Sequence, residues 1–204
     1  MHDLLTTRNR LLKAHHALRT AQEELKKFDE ISYQQVKEVQ QEAIRGIETS
    51  IKITEEAIDK ILDNREEWKK NVVLTTSIKG VGKLTALWFI VYTNNFDNKY
   101  NARKIAAFIG IAPYENSSGT TVDKGTHISK FAHLQLKALL HTAVLSAIRF
   151  NPNIKDYYIR KKAEGKKGFI VLNNAKNKLV HQMVAIVRSG IEFDPTYKHP
   201  KIAA

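Results

Sequence analysis

The segment Ser77-Ile78-Lys79-Gly80-Val81-Gly82-Lys83-Leu84-Thr85-Ala86 sets two glycines around one apolar residue, with a lysine on each side. Glycine accepts the positive φ that lets one helix end and another begin within a few residues. A helix starting there turns its unpaired N–H groups, and the positive end of its dipole, toward any nearby anion. Lys79 and Lys83 add full charges beside those groups. The arrangement suits a phosphate, and as a helix-hairpin-helix it suits a nucleic-acid backbone held without reading of its bases. The same residues also satisfy the plainer requirement of an αα-turn.

Charge supports the phosphate reading. The 204-residue chain has a net charge of +12. Residues 1–98 carry 15 basic and 15 acidic side chains, residues 99–188 carry 16 and 4, and residues 189–204 carry 2 and 2. An excess confined to one segment marks a surface for a polyanion rather than a general bias toward solubility. DNA is the expected partner, and an anionic membrane surface fits less well because no amphipathic helix shows an aromatic insertion face. There is no cysteine, no apolar run of membrane-spanning length and no signal-peptide core at the N-terminus. These features exclude a disulfide framework and thiolate metal sites, and imply a soluble, cytoplasmic protein without membrane contact.

The elements that must hold the Lys79–Lys83 segment read as all-α. Residues 3–28 repeat Leu4, Leu11, Leu18 and Leu25 every seven positions, with Thr7, Ala14, Ala21 and Phe28 three further on. That spacing predicts an a/d seam. Ser32 with Gln35 forms a capping-box pattern for a second helix, where Ile44, Ile51 and Ile58 share one heptad position and Ile47, Thr54, Ile61 and Trp68 the other. Residues 1–72 are therefore expected to form a coiled-coil arm, folded back on itself or joining copies of the chain into a homo-oligomer. Residues 73–190 are expected to form a compact helical domain, and residues 191–204 a loosely held tail.

Within that domain Leu84, Leu87, Trp88 and Val91 line a helix whose Trp88 belongs to the core. Asn101 caps a short helix ended by Gly110. Residues 110–125 are rich in Pro, Ser, Asn and Gly and read as an irregular exposed loop, the kind of segment that carries chemistry on helical scaffolds. Residues 130–150 read as a helix with Leu134, Ala138, His141, Leu145 and Ile148 on one face, and Leu136, Leu140 and Ala143 beside them. Pro152 opens another helix and residues 169–188 form the last. No metal constellation is legible, since His15, His16, His127, His133 and His141 lack carboxylates at ligand spacing. No cofactor is expected in this chain.

The ordered motifs Ile78–Ala86, Ala102-Arg-Lys-Ile-Ala-Ala-Phe-Ile-Gly-Ile-Ala-Pro113, Ser118-Gly119 and Gly125-Thr-His-Ile-Ser-Lys130 resemble the C-terminal half of the Piv/MooV-type transposases and DNA invertases. These are insertion-sequence recombinases with a RuvC-like DEDD domain in front. The resemblance spans roughly residues 75–190, and residues 3–70 resemble the coiled-coil arm joining the family's two halves.

It implies that Ser118, with Ser117 as the alternative, is the nucleophile toward a DNA phosphodiester. It further implies that Gly119 lets the backbone approach a phosphate and that Lys130 and Lys137 contact the nucleic acid. Divalent metal, Mg, would reside in the DEDD domain, and a structured guide RNA would be a further partner. Phe131-Ala132 replaces the family's usual Arg-Gly, and Lys137 stands for an arginine, keeping charge but losing the bidentate fork.

A serine hydroxyl needs its proton taken up and the developing phosphoryl charge met by cations or N–H donors. Lys124 and Lys130 are the nearest cations in sequence, and Glu115, Asp123, His127 and His133 could accept a proton. No complete acid–base set is legible, and residues 1–74 show no strand-rich α/β pattern. The chain thus reads as a DNA-binding, serine-bearing fragment, inactive alone. A non-catalytic helix-hairpin-helix scaffold for DNA or RNA is the alternative.

Overall fold

A computed structural model describes residues 1–118, 122–128 and 132–196, with residues 113–118 and 122–128 described by their backbone. The described residues form eight helices and one two-stranded ribbon, so the all-α class holds. The chain divides into two compact units, Met1–Glu66 and Glu67–Ala204.

The first unit is an antiparallel pair, α1 (His2–Lys26) and α2 (Glu30–Asp63). The capping box expected at Ser32 is not what starts α2. Asp29 is the N-cap, its carboxylate accepting from the Ile31 amide at 3.0 Å, while Ser32 donates its hydroxyl to the same side chain. Those bonds hold the Asp29 carboxyl below its ordinary range.

The seam also differs from expectation. Thr7, Ala14, Ala21 and Phe28 all face solvent. The position completing the leucine heptad is instead polar. Arg8 Nε donates to Glu55 Oε1 at 2.7 Å, His15 Nε2 lies 2.9 Å from Glu48 Oε1, and Gln22 Nε2 donates to Gln40 Oε1 at 3.1 Å. A pattern search for apolar seams passes over such residues, yet Gln22 is 3% exposed.

The second unit is built around α4 (Lys83–Tyr92), which buries Thr85, Ala86, Leu87, Trp88, Phe89 and Ile90 in succession. A helix apolar all round has no solvent face and must sit centrally. It is preceded by α3 (Glu66–Ser77) and followed by α5 (Ala102–Ile109), α6 (Leu134–Phe150), α7 (Pro152–Ala163) and α8 (Gly168–Ser189). Asn101 caps α5 by accepting from the Lys104 amide, and Gly110 ends it at φ 73°. Pro152 opens α7 with Asn151 as N-cap.

Of the two apolar sides read on α6, the one through Leu136, Leu140 and Ala143 is buried. Leu134 and Leu145 are 76% and 45% exposed and His141 faces solvent, whereas Leu136, Leu140, Ala143, Val144 and Ala147 form the core. This helix is apolar on two sides, so periodicity finds the helix without choosing the side.

Residues expected as an irregular loop form an antiparallel ribbon, β1 (Pro113–Ser118) and β2 (Val122–Ile128). Pro113 pairs with Ile128 and Ser118 with Val122, and the register shifts between Glu115 and Ser117. There, two steps along β1 face three along β2, a bulge in the segment holding Lys124 and Gly125. Past α8, the Phe193 amide donates to Ser77 Oγ at 2.8 Å, and residues 197–204 of the expected tail lie outside the described residues.

The root of the ribbon is fixed from the side by α8. Asn173, 9% exposed, donates from Nδ2 to the Ile111 carbonyl at 2.8 Å. Asn173→Ala should orphan that buried carbonyl, at a cost of about 1–3 kcal/mol in urea unfolding.

Candidate nucleic-acid interface

α3 ends where Ser77 donates back to the Leu74 carbonyl, and the chain turns through residues 78–82. Ile78 and Val81 anchor the turn in the core, and the Val81 amide reaches the Ile78 carbonyl at 3.0 Å. Lys79, Gly82 and Lys83 face solvent. Gly82 is the N-cap of α4 at φ −90° and offers no side chain to the first turn. The start of α4 thus has exposed lysines at positions 79 and 83 beside it.

Gly80 differs from Gly82. Its φ is +105°, and a Cβ there would lie 2.6 Å from the Ala147 amide nitrogen and 2.8 Å from the Ala143 carbonyl oxygen. It lets the turn lie directly on the backbone of α6.

The other expected site residues divide by position. Ser118 is the last described residue of β1, opposite Val122, and Lys124 lies in β2 at the bulge. Gly119 and Lys130 lie outside the described residues. Lys137 is half-buried on the first turns of α6.

Sequence reasoning missed what Lys137 approaches. Lys176, on α8, is 8% exposed, a lysine packed into a helical domain. Burial pushes its pKa down, and the nearby Lys137 pushes it further the same way. Among the described residues no carboxylate is paired with it. One turn back on α8, Asn173 holds the residue two positions before β1.

The same helix repeats the theme. Lys178 is held below its ordinary range by burial and then by Arg160, with its Nζ 5.4 Å from the Tyr157 ring centre. His181 is lowered by burial and then by Arg103. Arg103, His181 and Arg188 line one cavity of about 520 Å³ between α5 and α8.

Cations that push one another's pKa down, as Lys137 does to Lys176, raise the protein's own energy, and a phosphate relieves it. The sequence signal was available as Lys176, Lys178 and Arg188 on one helix. Interleaved with Ala175, Leu179 and Met183, they carry no spacing that marks them as a site. Among the described residues no group of three His, Asp or Glu side chains is placed to hold a metal ion, and no helix is long and apolar enough to cross a membrane.

The sequence model of the Transposase IS116/IS110/IS902 family matches residues 73–159. An uncharacterized 43.6 kDa protein of insertion element IS110 from Streptomyces coelicolor is 28% identical over 119 residues, covering 58% of this chain and 29% of its own. The pilin gene-inverting proteins of Moraxella lacunata and Moraxella bovis are each 25% identical over 160 residues, covering 78% of this chain and 50% of theirs. The chain thus spans between about a third and a half of the length of these relatives. Residues 73–159, from the end of α3 through most of α7, are thus similar to the transposases of the IS116/IS110/IS902 family.

Proposed function

We propose that this chain is the DNA-gripping, serine-bearing C-terminal half of a Piv/MooV-type transposase or invertase. The relationship to IS110-type transposases points to transposition or DNA recombination. The observation that carries the finer reading is the set of cations along α8 and α6 that have no acidic partner among the described residues. Its member Lys176 sits one turn from the residue that anchors the Ser118 ribbon. Ser118 is the proposed nucleophile, at the end of β1 where the chain turns back.

In this reading the turn at Lys79–Lys83 takes a backbone phosphate in the helix-hairpin-helix manner, and Lys124, Lys130 and Lys137 meet further phosphates. Divalent metal belongs to a RuvC-like DEDD domain and not to residues 1–204. A structured RNA would compete for the same surface.

Fluorescence anisotropy of labelled duplex DNA over a salt series tests the grip. Affinity should fall by on the order of tenfold or more between 50 and 200 mM salt, as several released counterions require. Lys79→Glu with Lys83→Glu should lower affinity and flatten the salt slope. Salt-independent binding, or none, overturns the reading. For the nucleophile, Ser118→Ala in a protein that includes the DEDD domain should abolish strand exchange and spare binding. Exchange at full rate would leave Ser118 a turn residue.

A further inference from the structure

A second feature lies apart from the cationic face. Phe89, Tyr92, Thr93, Lys99, Tyr100, Lys104, Ile105, Phe108 and Leu136 enclose a cavity of about 420 Å³, within the ~300–1,000 Å³ typical of small-molecule sites. Its walls are aromatic and arranged as stacking partners. Tyr92 lies 5.4 Å from Trp88 and 5.9 Å from Phe108, and the His133 ring stands edge-on to Tyr92 at 4.2 Å.

Phe108 remains 49% exposed although it sits beside this cluster. An exposed ring next to other rings, with room in front of it, is a stacking surface awaiting a flat partner.

Charge indicates which partner. Lys99 and Lys104 are exposed on the lining, and no carboxylate shares it among the described residues. Lys104 Nζ donates to the Lys99 carbonyl at 3.1 Å, and Lys99 Nζ stands 5.1 Å from the Tyr100 ring centre. Both ammonium groups are therefore tied at the aromatic edge. One wall is placed by an uncommon backbone, with Asn94, Asn95 and Phe96 at φ 47°, 61° and 59° in succession. That left-handed turn is held by the Phe96 amide on Thr93 Oγ1 and by Asn71 on Asn95.

A flat aromatic ligand with an anionic backbone on either side matches both features. We propose that this cavity receives one unpaired nucleobase of a bound DNA strand, stacked on Phe108 and Tyr92, with Lys99 and Lys104 on the flanking phosphates. The proposal rests on the nucleic-acid reading above and adds to it a preference for DNA with a base out of its stack.

The test compares two duplexes of one sequence. In one, a 2-aminopurine is paired. In the other it is bulged. The full chain should bind the bulged duplex at least about fivefold more tightly, the order expected of one base–aromatic stack, and should quench its fluorescence. Phe108→Ala, at an exposed position, should remove both the preference and the quench while leaving affinity for the paired duplex unchanged. Lys104→Ala should reduce the preference with the quench retained.

Equal affinity for the two duplexes, unaltered by Phe108→Ala, overturns the cavity assignment and leaves the nucleic-acid reading intact. Absence of binding to both overturns the two together.

Discussion

Gly80→Ala is expected to destabilise the helical unit by about 3 kcal/mol or more, lowering Tm on the order of 10 °C. Two costs add. A residue with a Cβ is strained at φ +105°, and that Cβ would sit 2.6 Å from a backbone nitrogen and 2.8 Å from a backbone oxygen of α6. Neither atom is the far end of a flexible side chain, so α6 itself must shift, and with it Leu140 and Val144 of the core.

Gly82→Ala is the control. Nothing lies within 4 Å of its would-be Cβ, and its φ of −90° suits any residue. It should cost about 1 kcal/mol or less, the difference between glycine and alanine at an N-cap. Urea melts of the two variants decide the matter. Equal losses would mean that the turn does not rest on α6. The pair also separates two roles that look alike in sequence, since Gly80 serves packing and Gly82 leaves the start of α4 open.

Lys176→Met should make the protein more stable and a poorer ligand for DNA. The side chain is 8% exposed, with Lys137 as its electrostatic neighbour. Methionine keeps an unbranched apolar stem, one atom shorter, and removes a charge that burial and Lys137 both disfavour.

The linkage has a definite sign. A lysine whose folded pKa lies below its unfolded one binds its proton less tightly when folded. Stability therefore rises with pH between the folded value and the unfolded value near 10.5. In the methionine variant that alkaline rise should shrink, and stability at neutral pH should increase by about 1 kcal/mol. DNA affinity should fall roughly tenfold, with a salt slope shallower by about one. Loss of stability instead would show that Lys176 serves the fold, and unchanged affinity would remove it from the interface. A gain in one quantity against a loss in the other is the pattern expected of a group kept for binding.

Local rules in the sequence located much of this architecture. The leucine and isoleucine heptads gave the two arm helices, Asn101 and Gly110 bounded α5, and Pro152 opened α7. Each is a short-range constraint that acts whatever the surroundings. What failed depended on partners distant in sequence. Arg8, His15 and Gln22 enter a seam because Glu55, Glu48 and Gln40 wait opposite them. α6 carries leucines on two sides, and contact with α4 and α8 decides which side is buried. Residues 113–128 are rich in turn formers, yet cross-strand pairing makes them a ribbon.

The site divides the same way. The lysines beside Gly80 and Gly82 stand together in sequence, so a spacing search reaches them. Lys176 and Lys137 lie 39 positions apart and meet through helix packing.

The three polar rungs make the arm a keyed object. Slide α2 one heptad in one direction and Gln22 comes to face Tyr33. Slide it in the other and Arg8 faces Leu62 while Gln22 faces Ile47. Leucines at positions 8, 15 and 22 would hold the two helices more tightly and would accept every one of these alignments. The arm gives up adhesion to keep an address, so its length and pitch are fixed to the residue.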